Sequence, residues 1–269
     1  MTTRMRSLSL TTIVLLLLAS APLHASEGGK IGSVDAQAMK VIERMSAFLA
    51  GVQKFSVTID IAYDIVQEWG QKIEFGETRV VTVRRPDRIR VDGKDRDGSE
   101  SGLVFDGKDI AVFDLAEKVY GTVAKPGSIE SAMAYFVQDL GMRLPMAGVL
   151  SPDLPKVVAG WAHTVSYVEP ATIAGVPCDH VSLSGDWEDV QMWVAQGDKP
   201  LLQRMVITYK RAEGQPQFSA QLRDWNLSAE APDSLFAFSP PEGAAKIPFA
   251  PLLREQQPGA PAAPQGGQP

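Results

Sequence analysis

The chain has 269 residues, 45% of them hydrophobic and 22% charged, with a formal net charge of −6 and one cysteine. The acidic balance argues against nucleic acid and anionic membrane surfaces as principal partners, since both repel it. A lone cysteine excludes an internal disulfide, so the fold must rest on a hydrophobic core, and a chain of this length is long enough to bury one.

Arg4 and Arg6 precede an apolar run from Leu8 to Ala19, followed by the small residues Ala19, Ser20, Ala21 and Ala25. This charge, length and exit chemistry predict a secretory signal peptide over residues 1–25. Ala19-Ser20-Ala21 fits the small-x-small cleavage rule better than a cut after Ala25, which puts Leu23 at the −3 position. The run falls short of the ~20 residues that span a bilayer, so a stable membrane span after cleavage is not expected. Losing the leader removes two arginines and no acids, which takes the net charge from −6 to −8.

Ser33 or Asp35 is placed to cap a helix in which Ala38, Val41, Ile42, Met45, Phe48, Leu49 and Val52 form one apolar stripe, with Gly51 placed to end it. Phe55, Val57, Ile59, Ile61, Tyr63 and Ile65 then alternate with polar or small residues. That period of two predicts a strand with one wet face, and Gly70 turns the chain into a second strand from Ile73 to Arg85. In the second strand Glu77 and Arg79 share the parity of Ile73, Phe75, Val81 and Val83. A bulge at Gly76 would shift the register and send both charges outward. The alternative keeps Arg79 or Glu77 inward, against a polar head group or a lid.

Short strands follow at Ile89–Val91, Leu103–Phe105, Ile110–Phe113 and Val119–Val123, separated by polar turns, with Asp92–Ser99 read as a loop. Ser128 can cap a helix with Ile129, Met133, Phe136, Val137 and Leu140 on one face. An apolar irregular stretch, Leu144–Leu150, leads to a further short helix within Ser151–Gly160. Strands resume at Thr164–Ile173, Val176–Ser184, Val190–Ala195, Leu201–Lys210 and Phe218–Leu227. Residues 26–250 read as a single domain, and the Pro, Gly and Gln composition of residues 251–269 predicts a disordered tail.

Motifs for catalysis are missing. No GxSxG elbow, phosphate loop, dinucleotide fingerprint, CxxC or HExxH is present, so neither a catalytic residue nor a metal or cofactor is expected. Cys178-Asp179-His180 reads as a packed cysteine beside a hydrogen-bonded histidine, because a metal needs three or four ligands and a thiolate needs a base from another element.

Several segments together resemble a family. Gln191–Leu201 with Arg204–Tyr209 looks like the Trp-to-Pro strand hairpin of LolA-like periplasmic proteins, and Asp224-Trp225-Asn226 with Phe236–Ala244 resembles their closing strand. With Arg85–Arg88, Asp106-Gly107-Lys108 and Gly175–His180, the set is most similar to a predicted periplasmic family of unknown function over about Val34 to Phe249. The resemblance implies an α+β, mainly antiparallel fold: an unclosed half-barrel of about 10–11 strands with helices over its concave face. It also implies relatives that carry or sense lipids or lipoproteins, an exported location and no catalytic residues.

Three strand faces are the candidate wall of an apolar cavity: Phe55, Val57, Ile59, Ile61 and Tyr63; Met192; and Met205, Ile207 and Tyr209, with Arg79 as a polar contact. The same residues read equally as a filled core beneath the helices, and residue for residue that is the simpler account. The expected occupant is a lipid or acyl chain under a helical lid. The alternative is an envelope protein docked on the sheet.

Overall fold

A computed structural model describes residues 32–142 and 144–249; the leader expected over 1–25 and the tail expected over 251–269 lie outside the described residues. Helix α1 runs from Ala36 to Gly51, capped by Asp35, whose carboxylate accepts from the Gln37 N–H at 2.7 Å. Its buried residues Ala38, Val41, Ile42, Met45 and Leu49 are the apolar stripe read from the sequence. Gly51 is the helix's last residue and Val52 its cap, so the glycine does not break the helix early.

Twelve strands form one sheet: β1 (Lys54–Val66), β2 (Lys72–Arg84), β3 (Arg88–Asp95), β4 (Glu100–Phe105), β5 (Asp109–Asp114), β6 (Val119–Ala124), β7 (Thr164–Ile173), β8 (Val176–Ser184), β9 (Glu188–Ala195), β10 (Leu202–Tyr209), β11 (Gln217–Asn226) and β12 (Ala245–Lys246). Their order is β12-β6-β5-β4-β3-β2-β1-β11-β10-β9-β8-β7, unclosed, and every pairing is antiparallel except the two-residue contact of β12 with β6. The antiparallel sheet expected from the alternating polarity and the unclosed form that the resemblance implies are therefore both found. The strand count exceeds the expected 10–11 because β12 is too short to carry a periodic signal.

β1 is the seam between two meanders, pairing with β2 on one side and β11 on the other. Asp60, on its outer face, accepts from Thr78 of β2 at 2.9 Å and from Arg223 of β11 at 2.7 Å, tying both neighbours to the seam. β3 is longer than the Ile89–Val91 read from the sequence. The supposed loop Asp92–Asp95 pairs with β2 and β4, and its polar residues hide the alternation.

The bulge expected at Gly76 is not there. β1 and β2 pair without a break from Lys54↔Arg84 to Val66↔Lys72, with Gly76 opposite Ala62. Gly76 serves another purpose: a Cβ on it would lie 2.8 Å from Nη2 of Arg96 and 2.4 Å from the carbonyl oxygen of Ile61. The glycine admits a crossing guanidinium, and the strand stays in register.

Between β6 and β7 the chain crosses the inner face of the sheet. Helix α2 spans Ile129–Ala134, capped by Ser128, and runs into a π-helical turn over Tyr135–Asp139, where the Leu140 N–H donates to the Tyr135 carbonyl at 3.1 Å. The wider turn keeps Phe136 buried and leaves Val137 exposed, so the single stripe read through Val137 does not hold. A 3₁₀ turn at Ala147–Leu150 precedes α3 (Leu154–Trp161), with Pro155 in its first turn and Pro152 before it. Ser46 of α1 donates to the carbonyls of Ser151 and Pro152 at 3.1 and 3.2 Å, joining the two helical layers. Among the described residues no helix is long and apolar enough to cross a membrane.

Candidate binding cavity

The register of β1–β5 arranges the inward side chains in rungs that run across the sheet. Phe55, Val83, Ile89, Phe105 and Ile110 make the first, all of them buried. Val57, Val81, Val91, Leu103 and Val112 make the second, again all apolar. The third changes character: Ile59, Arg79, Gly93, Ser101 and Asp114. In the fourth, Ile61 is followed by Glu77 and Asp95, and in the fifth Tyr63 stacks on Phe75 with ring centroids 6.2 Å apart. The inner face therefore passes from a dry aliphatic floor to a charged band and then to an aromatic rim.

Over this half of the sheet lies a cavity of about 990 Å³, at the upper end of the usual range for ligand pockets. One wall is the rungs just described. The opposite wall comes from the crossing segment, with Met133, Phe136, Met142, Leu144, Met146, Val149 and Leu150, and Phe218, Leu222 and Trp225 of β11 close one side. Trp225 is held in place by donating to the Leu202 carbonyl at 3.0 Å and by packing against Phe55 at 5.4 Å between ring centroids.

Phe55, Val57, Ile59, Ile61, Tyr63, Tyr209 and Arg79 border this cavity. Met192, Met205 and Ile207 do not; they are buried in the one hydrophobic core that continues from α1 to the cavity-bordering residues of β1. The physical reason is which cover lies above them. α1 packs against β7 and β8, at the far end of the sheet from the cavity, whereas the irregular segment over β1–β5 leaves the cavity open beneath it. The sequence reading passed over the β3–β5 wall and Asp95, whereas Glu77 and Arg79 take the inward alternative set beside the bulge. The signal for that alternative was the unbroken parity of Glu77, Arg79, Val81 and Val83, which a bulge-free register sends to one face.

Arg79 pairs with Glu77 at 2.6 Å along its own strand, the carboxylate being the more buried partner. Asp95, directly opposite Glu77, accepts from the Ser99 hydroxyl at 3.1 Å. Although Asp95 is exposed as a whole residue, partial desolvation of its carboxyl on the inner face and then the neighbouring Glu77 and Asp97 charges push it above the ordinary carboxylate range. Burial and the same two acids, Glu77 and Asp95, raise the Tyr63 phenol above its usual value.

Cys178 is buried beside the Val176 carbonyl, and His180 stacks on Trp193 with ring centroids 4.2 Å apart while bonding Gln191 at 3.1 Å. Neither residue borders the cavity. Among the described residues no group of three or more His, Cys, Asp or Glu side chains is arranged to hold a metal ion.

No protein of curated function matches the sequence. Among solved structures the chain is similar to the lipoprotein LppX of Mycobacterium tuberculosis, at 15% identity over 73% of this chain and 98% of that one, with a TM-score of 0.45. It is also similar to the MucA/MucB complex structure of Pseudomonas aeruginosa (16% identity, 76% and 62% covered, TM-score 0.42) and to a LolA superfamily protein of Nitrosomonas europaea (14% identity, 75% and 97% covered, TM-score 0.35). The family described as "Predicted periplasmic protein (DUF2092)" matches residues 38–250, most of the chain. The chain belongs to that periplasmic family, as its own strand and turn motifs anticipated.

Proposed function

We propose that the protein is a non-enzymatic periplasmic carrier that holds the hydrocarbon chain of a lipid or lipoprotein in the cavity between β1–β5 and the crossing segment. The observation that carries this reading is the cavity itself, about 990 Å³ with an aliphatic floor and a methionine-rich cover. Exposing hydrocarbon to water costs about 0.8 kcal/mol per CH₂, so a chain of about fourteen carbons needs on the order of 10 kcal/mol of shelter to cross an aqueous compartment. Side chains such as Val57, Val91, Leu103 and Val112 supply that shelter, and Met133, Met142 and Met146 adapt to chains of different shape. The absence of His and Cys from the cavity's lining supports binding over catalysis.

Mass spectrometry of organic extracts from protein purified out of the periplasm tests the reading. A lipid or acyl compound at near-stoichiometric amount is expected. Clean extracts, together with no uptake of the neutral apolar probe N-phenyl-1-naphthylamine, would overturn it, and a protein partner copurifying instead would move the assignment to docking.

A further inference from the structure

We propose that Glu77 and Asp95 make the cavity selective for amphiphiles with a cationic head over those with a carboxylate or phosphate head. The proposal rests on the reading of the cavity as a hydrocarbon site and specifies what must sit at the other end of the chain.

The two acids face each other across β2 and β3 on the inner face, one rung beyond Arg79 and two beyond the last fully apolar rung. A chain laid along Val81 and Val91 from the floor brings its head to this level. The nearby cation is already engaged, since Arg79 lies 2.6 Å from Glu77. The other arginine bordering the cavity, Arg96, bonds Glu74 at 2.8 Å. Asp95 has a hydroxyl as its hydrogen-bond partner and no such guanidinium of its own. Among the described residues of the lining, six carboxylates stand against these two arginines, so an anionic head enters a field of its own sign. A cationic head instead gives Asp95 a counter-ion and relieves its repulsion with Glu77. The hydrocarbon site stands without these acids; they decide which chains it accepts.

Displacement of bound N-phenyl-1-naphthylamine by three amphiphiles of equal chain length, each below its micelle concentration at neutral pH, tests the proposal. Dodecyltrimethylammonium is expected to half-displace the probe at a concentration about tenfold lower than dodecanoate, with dodecyl maltoside between them. Glu77→Gln combined with Asp95→Asn is expected to remove most of that difference and to leave the maltoside unchanged. Dodecanoate competing as well as the cation, or a preference that survives the double substitution, overturns the proposal. Failure of the probe and the maltoside alike would overturn the hydrocarbon site itself, a different result from lost selectivity. Circular dichroism and a thermal melt check the fold, and Asp95→Asn alone repeats the test should the double variant be unstable.

Discussion

Asp95 shows how one side chain can be held against its own stability. It sits on the inner face opposite Glu77, exposed as a whole residue, and partial desolvation with the neighbouring acids pushes its carboxyl above the unfolded value of 3.8, an effect that solvent screening keeps small. A carboxyl whose folded pKa exceeds its unfolded one costs stability wherever the pH lies above the folded value, and the cost vanishes below the unfolded one. Asp95→Asn is therefore expected to raise the thermal midpoint at neutral pH, with the gain fading as the pH falls through the carboxylate range. Melting curves across that range check it; a variant less stable than its parent at neutral pH would contradict the account. Residues retained at such a cost are where binding sites are expected. This one was illegible in the sequence because Asp92-Gly93-Lys94-Asp95 reads as a polar loop until β2 and β4 are known to flank it.

Between elements, the decisive contact is made by Arg85 just past the end of β2. Its side chain is 10% exposed; Nη1 donates to Glu130 of α2 and Nη2 to the Leu150 carbonyl, each at 2.9 Å. The Ile129 N–H donates to the Pro86 carbonyl at 2.9 Å, so the start of α2 and the end of the 3₁₀ turn are both pinned to the same corner of the sheet. Between those pins the cover is irregular, with a π-helical turn and the cavity-lining Met142, Leu144 and Met146. Arg85→Met keeps the aliphatic stem and removes the fork, and a hydrogen bond to a charged group is worth about 2 kcal/mol. Faster amide exchange is expected across residues 129–150, while the strands of the sheet keep their protection. Acceleration spread evenly through the sheet would show that Arg85 serves the whole fold rather than the cover. In the sequence Arg84-Arg85-Pro86-Asp87-Arg88 reads as a solvated basic cluster at a strand end; that one of these arginines turns inward to fasten a helix is set by tertiary packing, which local pattern does not carry.

At the scale of the molecule, one sheet supports two kinds of interior. The alternation of β1 made its inner face legible, and the stripe on α1 announced that something would cover part of the sheet. Neither could say where the cover would be tight. Met205 and Leu103 are both apolar strand residues, yet Met205 is 3% exposed and away from the cavity while Leu103 borders it. The difference follows from which helical segment crosses which strands, and it can be tested by adding bulk to each half. In a filled core an enlarged side chain forces strain worth about 1–3 kcal/mol, whereas beside open volume it is accommodated. Met205→Trp is therefore expected to lose about that much stability and to keep its ligand in proportion to the folded fraction. Leu103→Trp is expected to melt no lower than the parent and to lose most of its extractable lipid and its uptake of N-phenyl-1-naphthylamine. Paired denaturant titrations and lipid extractions measure both, and a Leu103→Trp variant that unfolds early while still carrying lipid would mean that the space beneath the crossing segment is core after all. The two parts then have separable roles: β7–β9 with α1 supply stability, while β1–β5 with the edge of β11 keep a hollow beneath an irregular cover.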